Sequence, residues 1–389
     1  MKAHYDVIVV GGGPAGSTAA RFAASRGAAV ALLEKDREIG IPVRCAEGVG
    51  EHGLASLVEI QPHWIARRIT GAVLIAPSGA EVGLSSNQVG YVLHRKQFDY
   101  DLARMAARAG VEVYTKAYVQ GLLMGKTGVT GVVVEHLGTR QAISATLVIA
   151  ADGVESRLGR WAGLDTRCTL QDLESCAQVT IANYDGDPAV CRFYFSNESF
   201  PGGYGWIFPK GDGMANVGLG IAGVKADKRC AHDHLEAFLA RISDKPAILS
   251  RVYGSVPCSV TLKTIVTDGL MLTGDAAHQA NPLTGGGIVS GMIAARTAGQ
   301  VAADAIADND TSAQRLQEYP KTWAAGEGGR MNQFYRLKKF VFTLSDDAFN
   351  KIAKGILELS PEKRTMTNIF KAALINKPSL ILDAIKLFK

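Results

Sequence analysis

Asp6-Val7-Ile8-Val9-Val10, then Gly11-Gly12-Gly13-Pro14-Ala15-Gly16, then Ser17 to Arg26, form the stretch that decides how this chain is read. The first run is short, apolar and β-branched, as in a parallel strand buried on both faces. The second fits Gly-x-Gly-x-x-Gly at Gly11, Gly13 and Gly16, and the third reads as a helix. A second strand, Ala28 to Leu33, ends at Glu34. The glycines divide the work of such a unit. Gly11 permits the tight turn, Gly13 lets backbone approach a pyrophosphate, and Gly16 lets the helix pack on the strand. The helix N-terminus presents unbonded N–H groups and its positive dipole end to the phosphates. Glu34 is placed to accept hydrogen bonds from a ribose. All five parts agree on a dinucleotide site.

Outward from this unit, Asp36 to Glu51 is a structured loop containing Pro42-Val43-Arg44-Cys45-Ala46-Glu47-Gly48. Residues 58 to 93 read as short strands, and Arg95 opens a helix that runs to about Gly110. Strands follow at Val111–Tyr114, Val129–Glu135 and Leu147–Ala151, the last leading into Asp152-Gly153. Residues 165 to 265 change character, with aromatic-rich alternating strands and one helix from about His232 to Ile242. Leu270 to His278 returns to strand-then-turn through Gly274-Asp275, and a small-residue helix runs from Ile288 to about Ile306. The expected fold class is α/β with an α+β second domain. A discontinuous Rossmann-like domain takes 1–57, 91–164 and 266–308; an antiparallel-sheet domain takes 58–90 and 165–265; 309–389 form a helical region.

Composition narrows the class. The chain has 389 residues, 47% of them hydrophobic, with 43 glycines, which suits a packed α/β protein and not a disordered one. Asp6 interrupts the first apolar stretch and no small-residue cleavage site follows, so no secretory leader is expected and the location is read as cytoplasmic. The 6 cysteines show no Cys-x-x-Cys pairing, which argues against a disulfide framework and a zinc site. From Arg330 onward, 12 Lys+Arg face 5 Asp+Glu, a net of +7. This tail also carries Phe334, Leu337, Phe340, Val341, Phe342, Leu344, Ile352 and Ile356, too apolar for a nucleic-acid arm. Two readings stay open: an ordinary helical cap with solvated lysines, or helices at the inner face of a membrane.

The glycine turn, Asp152-Gly153 and Gly274-Asp275 together resemble FAD proteins of the para-hydroxybenzoate hydroxylase type. The resemblance implies that Asp275 contacts the ribitol of FAD, that Asp152 sits beside the pyrophosphate, and that Arg95 is directed at the cofactor. The Gly287-Ile288 helix end would favour the anionic reduced flavin. The cofactor set expected this way is Gly11, Gly13, Ala15, Gly16, Glu34, Lys35, Arg44, Cys45, Ala46, Gly48, Arg95, Val119, Asp152, Gly153, Gly274, Asp275, Gly287 and Ile288. A narrower resemblance follows. Tyr204-Gly205-Trp206-Ile207-Phe208-Pro209, then Gly218-Leu219-Gly220, looks like the signature of geranylgeranyl reductases, and Pro42-x-x-Cys45-Ala46-Glu47-Gly48 looks like that family's cysteine loop. Length and motif order are similar to the archaeal branch acting on digeranylgeranylglycerophospholipids. Tyr204, Trp206, Pro209, Gly218 and Gly220 are then expected at the substrate, and Cys45, Tyr204, Trp206 and Phe208 at the chemistry.

The implied reaction saturates isoprenoid double bonds. Hydride attack first would leave an unsupported carbanion, so proton delivery should build tertiary cation character as reduced FAD supplies hydride. The faces of Tyr204, Trp206 or Phe208 could support that charge. The proton donor is open among a thiol, a phenol and an ordered water; Cys45 is one candidate and equally a packing residue of its loop. Gly218 to Gly223 also fits Gly-x-Gly-x-x-Gly, but no acid-terminated strand follows, since Asp244 falls in a Ser-Asp-Lys-Pro turn. No separate nicotinamide domain is therefore expected, and the electron donor is NAD(P)H, ferredoxin or another low-potential donor. A flavin monooxygenase shares the three flavin motifs, and a flavin redox sensor is a third reading.

Overall fold

The computed structural model describes residues 1–85, 89–226, 229–242, 245–375 and 378–388. His4–Val10 runs parallel to Val30–Leu33 on one side and Thr139–Ala150 on the other. Glu112–Tyr114 and Leu270–Leu272 extend this sheet in parallel at its two sides. Val7, Ile8 and Val9 are all fully buried, which is why the strand shows a continuous apolar run and no alternation. The first helix spans Pro14–Ala24 and so starts earlier than the composition suggested. Pro14 explains this: in the first turn its missing N–H costs nothing and its φ is already helical. Ala29 N–H donates to Asp6 Oδ2 (2.7 Å), and the second strand begins only at Val30.

The second sheet has 7 strands in the order Ile248–Pro257, Leu173–Ile181, Met214–Ala222, Tyr204–Gly211, Val190–Tyr194, Gly71–Ile75, Glu81–Gly83. It departs from the expected antiparallel pattern at one pair, since Val190–Tyr194 lies parallel to Gly71–Ile75. Gly48–Gly50, Gly90–Leu93 and Ile65–Ile69 make a separate 3-stranded sheet, so the cysteine loop leads into its own small sheet. Alternation sorts the faces of the large sheet. Ala177, Val179, Ile181, Val217, Leu219 and Ile221 point into a core against helix Ala231–Ile242. The opposite face carries the polar and aromatic residues. Gly218 and Gly220 lie within the Met214–Ala222 strand and Gly223 just past its end, so the second glycine pattern opens no α-helix. The turn read at Ser243-Asp244 lies outside the described residues.

The C-terminal region is helical, with Glu327–Val341, Asp346–Leu357, Met366–Ala373 and Pro378–Phe388 as its main elements. Its apolar stock is largely used inside the protein: Phe334 and Leu337 join the main core, and Ala353 and Ile356 pack with Val82. Lys338, one of the tail's 12 basic residues, is not on the surface, where both readings of the tail put its lysines. It is only 7% exposed and its ammonium donates to Asp172 Oδ1 (3.2 Å) and the Cys258 carbonyl (2.7 Å). The helix needs that face for packing, and the cation stays inside because carboxylates meet it there.

Candidate functional site

The glycine turn shows a cradle. Gly11 has φ +105, and a Cβ there would run into the Ala151 carbonyl; at Gly16 it would run into the Gly11 carbonyl. Gly13 is different: nothing lies within 4 Å of where its Cβ would stand. The helix behind it has no side-chain cap. Glu34 accepts from Gly12 N–H (2.6 Å, Oε2) and Asp36 N–H (2.9 Å, Oε1). It therefore braces the turn, and each oxygen keeps a lone pair for a further donor. Lys35 is exposed. Val119 is buried in the main core and pairs with Val134, which leaves only its main chain to a ligand.

Asp152 Oδ2 accepts from Leu158 N–H (3.1 Å), while its buried Oδ1 has no partner. Beside it Gly153 opens onto free space with φ +73. A Cβ on Gly274 would stand 2.9 Å from that of Ala15, so the Gly-Asp turn packs on the first helix. Asp275 Oδ1 lies 3.2 Å from where a Cβ of Gly287 would be, and Gly287 caps helix Ile288–Ala307 without a side-chain bond. Burial pushes the Asp275 carboxyl up to about 6, with the Arg95 guanidinium pulling the other way. Arg95 itself is clamped by Asp99 through Nε (2.7 Å) and Nη2 (2.8 Å). The open space at Gly13 and Gly153, the orphaned Asp152 oxygen and the uncapped helix end beside Asp275 fit FAD. Gly13 and the first helix could hold its phosphates, and Asp275 and the Ile288 helix end could hold its ring end.

The cysteine loop is pinned between this region and the large sheet. Gln178 Nε2 donates to the Cys45 carbonyl (2.9 Å) and Asn216 Nδ2 to the Ala46 carbonyl (3.2 Å). Buried Glu47, at φ +71, accepts from Asn216 Nδ2 (2.7 Å), Arg95 N–H (3.1 Å) and the Lys210 ammonium. A Cβ on Gly48 would come within 2.8 Å of the Phe208 ring, so glycine lets the ring lie on the loop. Arg44 is exposed, its stem beside Gly254. Cys45 Sγ accepts from Glu47 N–H (3.2 Å), and burial pushes its thiol up, keeping the proton on sulfur. A cavity of about 320 Å³ opens beside the loop, lined by Val43, His94, Arg95, Gln178 and Lys210 among others.

Register explains the aromatic signature. Cys176 faces Gly220, which faces Tyr204; Gln178 faces Gly218, which faces Trp206; Thr180 faces Asn216, which faces Phe208. Trp206 Nε1 reaches across Gly218 to donate to Gln178 Oε1 (3.0 Å), and a Cβ on Gly218 would stand 2.6 Å from the indole. At Gly220 a Cβ would stand 3.3 Å from Cys176 Sγ. Tyr204 OH donates to the Thr284 carbonyl (2.6 Å), tying this strand to the loop before the Ile288 helix. Its phenol is pushed up by burial. Pro209, opposite Ala215, ends the aromatic run. Sequence reasoning missed Gln178 and Asn216. The signal for Gln178 was the alternation of Glu174, Cys176, Gln178 and Thr180 with Ala177, Val179 and Ile181.

Comparisons with known proteins agree with this geometry. Residues 172–256 match the geranylgeranyl reductase catalytic domain, and residues 6–206 match the FAD dependent oxidoreductase family. Digeranylgeranylglycerophospholipid reductase 1 of Methanococcoides burtonii is 41% identical over 392 residues, covering 100% of this chain and 96% of that one. The digeranylgeranylglycerophospholipid reductase of Methanocella arvoryzae is 42% identical over 391 residues, covering 100% of both. A geranylgeranyl bacteriochlorophyll reductase-like protein from Thermoplasma acidophilum superposes with TM-score 0.91 at 36% identity, covering 99% of each chain. A flavin-dependent brominase shares the fold alone, with TM-score 0.75 at 18% identity over 98% of this chain and 99% of that one.

Proposed function

The chain belongs to the geranylgeranyl reductase family, in its digeranylgeranylglycerophospholipid reductase branch, and on that premise we propose how its residues carry the reaction. It is an FAD-dependent oxidoreductase that saturates C=C bonds of geranylgeranyl chains. This reading is favoured over a monooxygenase. Bound FAD supplies the hydride when reduced. Gly13 and the Pro14 helix receive the pyrophosphate, and Glu34 receives the ribose. Asp275 and the Ile288 helix end orient the ring. The cysteine loop, held by Gln178, Asn216 and Glu47, closes one wall of the substrate site. Tyr204, Trp206 and Phe208 present ring faces to the positive charge that develops as a proton reaches the alkene. Gly218 makes room for the Trp206 indole, and Gly220, in the next row, keeps a side chain out of the way of the isoprenoid.

The observation that carries this reading is the cross-strand row in which Gly218 lets Trp206 reach Gln178, and Gln178 in turn holds the Cys45 carbonyl. Four residues from three strands and the cysteine loop thereby become one wall. The test is incubation of the dithionite-reduced protein with a digeranylgeranylglycerophospholipid, followed by mass spectrometry. The expected product gains two hydrogens per reduced bond. A product carrying added oxygen, or an unaltered lipid, would overturn the assignment.

The substrate is presented at a membrane surface. A geranylgeranyl chain crosses water poorly, at about 0.8 kcal/mol per exposed methylene. The net +7 of the tail and the exposed Ile375 and Leu382, at 75% and 61% exposure, support a peripheral contact with anionic lipid. No helix among the described residues is long and apolar enough to cross a membrane. An external low-potential reductant, NAD(P)H or ferredoxin among the candidates, completes the cycle.

A further inference from the structure

The cavity of about 320 Å³ beside the cysteine loop is separate from the cofactor cradle. Arg95 lines it, but Gly13, Glu34, Asp152 and Asp275 do not. Its volume lies at the lower end of the roughly 300–1,000 Å³ that small-ligand pockets span. Val43 and Glu47 of the loop form one wall. Gln178 and Thr180 form another, with Val252 and Ser250 paired beside them on the edge strand Ile248–Pro257. Lys210 and the first turn of helix Arg95–Arg108 complete the lining. Gln178 and Thr180 stand one and two rows beyond the row of Cys176 and Tyr204. The cavity therefore lies further along the sheet than the contact of Tyr204 with Thr284.

The polar capacity left over around this space consists of donors. Three cations, Arg95, Lys96 and Lys210, line it against one carboxylate, Glu47. Glu47 is already used on both oxygens, Oε1 by Arg95 N–H and Oε2 by Asn216 Nδ2 and Lys210. Lys210 gives Glu47 one of its three N–H groups. Arg95 gives Nε and Nη2 to Asp99 and keeps Nη1. Lys96 meets Glu38 at 3.0 Å and keeps two further N–H groups. Among the described residues, neither the His94 ring nor the Gln97 amide makes a hydrogen bond. The turn from His94 to Gln97 lines the cavity, so the positive end of the helix dipole adds to these donors.

Resting on the reductase reading above, we propose that this cavity binds the phosphate group of a ligand of the reaction. A phosphate offers acceptors, carries charge opposite to the surplus in the lining, and takes short charge-assisted hydrogen bonds from Lys and Arg. Two ligands of the reaction carry such a group: the phospholipid, and a nicotinamide dinucleotide acting as reductant. In either case Lys210 and Arg95 hold the phosphate, and Val43 and Val252 meet the carbon skeleton attached to it. The site makes and breaks no bond; it anchors one end of the ligand beside the cysteine loop.

The test titrates FAD-loaded protein by calorimetry with three probes: inorganic phosphate, glycerol phosphate and NADPH. Gln97→Glu and Ser250→Asp each place a carboxylate at an exposed position of the lining. They lie on different elements, so one variant remains if the other fails to fold. Like charge beside a bound phosphate should weaken binding by at least about tenfold in each, and Ser250→Lys should tighten it. FAD absorbance should stay the same in all three. If the lipid supplies the phosphate, glycerol phosphate binds, phospholipid in micelles displaces it, and S250D raises the KM for lipid in dithionite-driven turnover. If the dinucleotide supplies it, NADPH binds more tightly than glycerol phosphate, and S250D slows flavin reduction by NADPH more than by dithionite. Binding of none of the probes at millimolar concentration overturns the proposal, as does equal binding by wild type, Q97E and S250D. Wild-type protein that reduces no alkene would instead overturn the reductase reading, and the titrations would still report on the cavity.

Discussion

Gly218 illustrates how much one missing methyl can organise. Its neighbours across the sheet are Gln178 and Trp206, and the indole occupies the volume a side chain would take, with Cζ2 at 2.6 Å from the absent Cβ. Gly218→Ala should displace Trp206, break its 3.0 Å bond to Gln178 and loosen the hold of Gln178 on the Cys45 carbonyl. Misplacement of this size at a reacting centre costs on the order of 100-fold in rate. FAD content should stay at wild-type level, because the glycine turn and Asp275 lie on other elements. Alkene turnover and Trp206 fluorescence, isolated by comparison with Trp206→Phe, would check it; wild-type turnover would show that the glycine is merely tolerated. The spacing of this signature was legible in the sequence. Its reason was not, because Gln178 comes from another strand.

Between elements, the decisive contact is the crossing of helix Pro14–Ala24 with helix Ile288–Ala307. Small residues line it: Ala19, Ala20 and Ala23 on one side, Ala294, Ala295, Ala298 and Ala302 on the other, all buried. At Gly299 a Cβ would run into the Ala19 carbonyl, so the two backbones nearly touch. This crossing holds together the two helix N-termini proposed to meet the pyrophosphate and the ring end of FAD. Gly299→Val should cost about 1–3 kcal/mol of stability through overpacking and lower FAD occupancy as the helices part. Urea unfolding and the protein's flavin absorbance give the two readouts; unchanged values in both would mean that the crossing is not held so tightly. The small-residue character of the second helix was visible in the sequence, but its partner, far away along the chain, was not.

For the molecule as a whole, the question is which surface meets lipid. Lys338 is excluded by its burial beside Asp172 and Glu174, so its charge reversal would damage the interior instead of testing a surface. Lys351 and Lys354, on helix Asp346–Leu357, and Lys371, on helix Met366–Ala373 shortly before the exposed Ile375, are exposed. Reversing all three to Glu should weaken binding to anionic liposomes and slow turnover of liposome-borne substrate. Turnover of a short isoprenoid in detergent should hardly change, since Cys45, Tyr204, Trp206 and Asp275 are untouched. Equal slowing of both substrates, or liposome binding insensitive to salt and to the reversal, would count against a charged membrane contact.

The dinucleotide unit was readable from residue order alone, because strand, glycine turn, helix and terminal acid are contiguous and each obeys a local rule. Gly11, Gly13 and Gly16 could be assigned distinct backbone roles before any coordinates, and the structure shows the two steric clashes and the one open position that those roles require. The family was legible for the same reason, in motifs only a few residues long. Which side chains meet across the sheets and helices came from the folded chain. Cys45, Gln178 and Trp206 are separated in the chain, and strand register joins them in one hydrogen-bonded row, while helix packing sets Lys338 on Asp172. A lysine in a basic, apolar tail reads identically whether it faces solvent or a buried carboxylate. The difference lies in what the fold places opposite it.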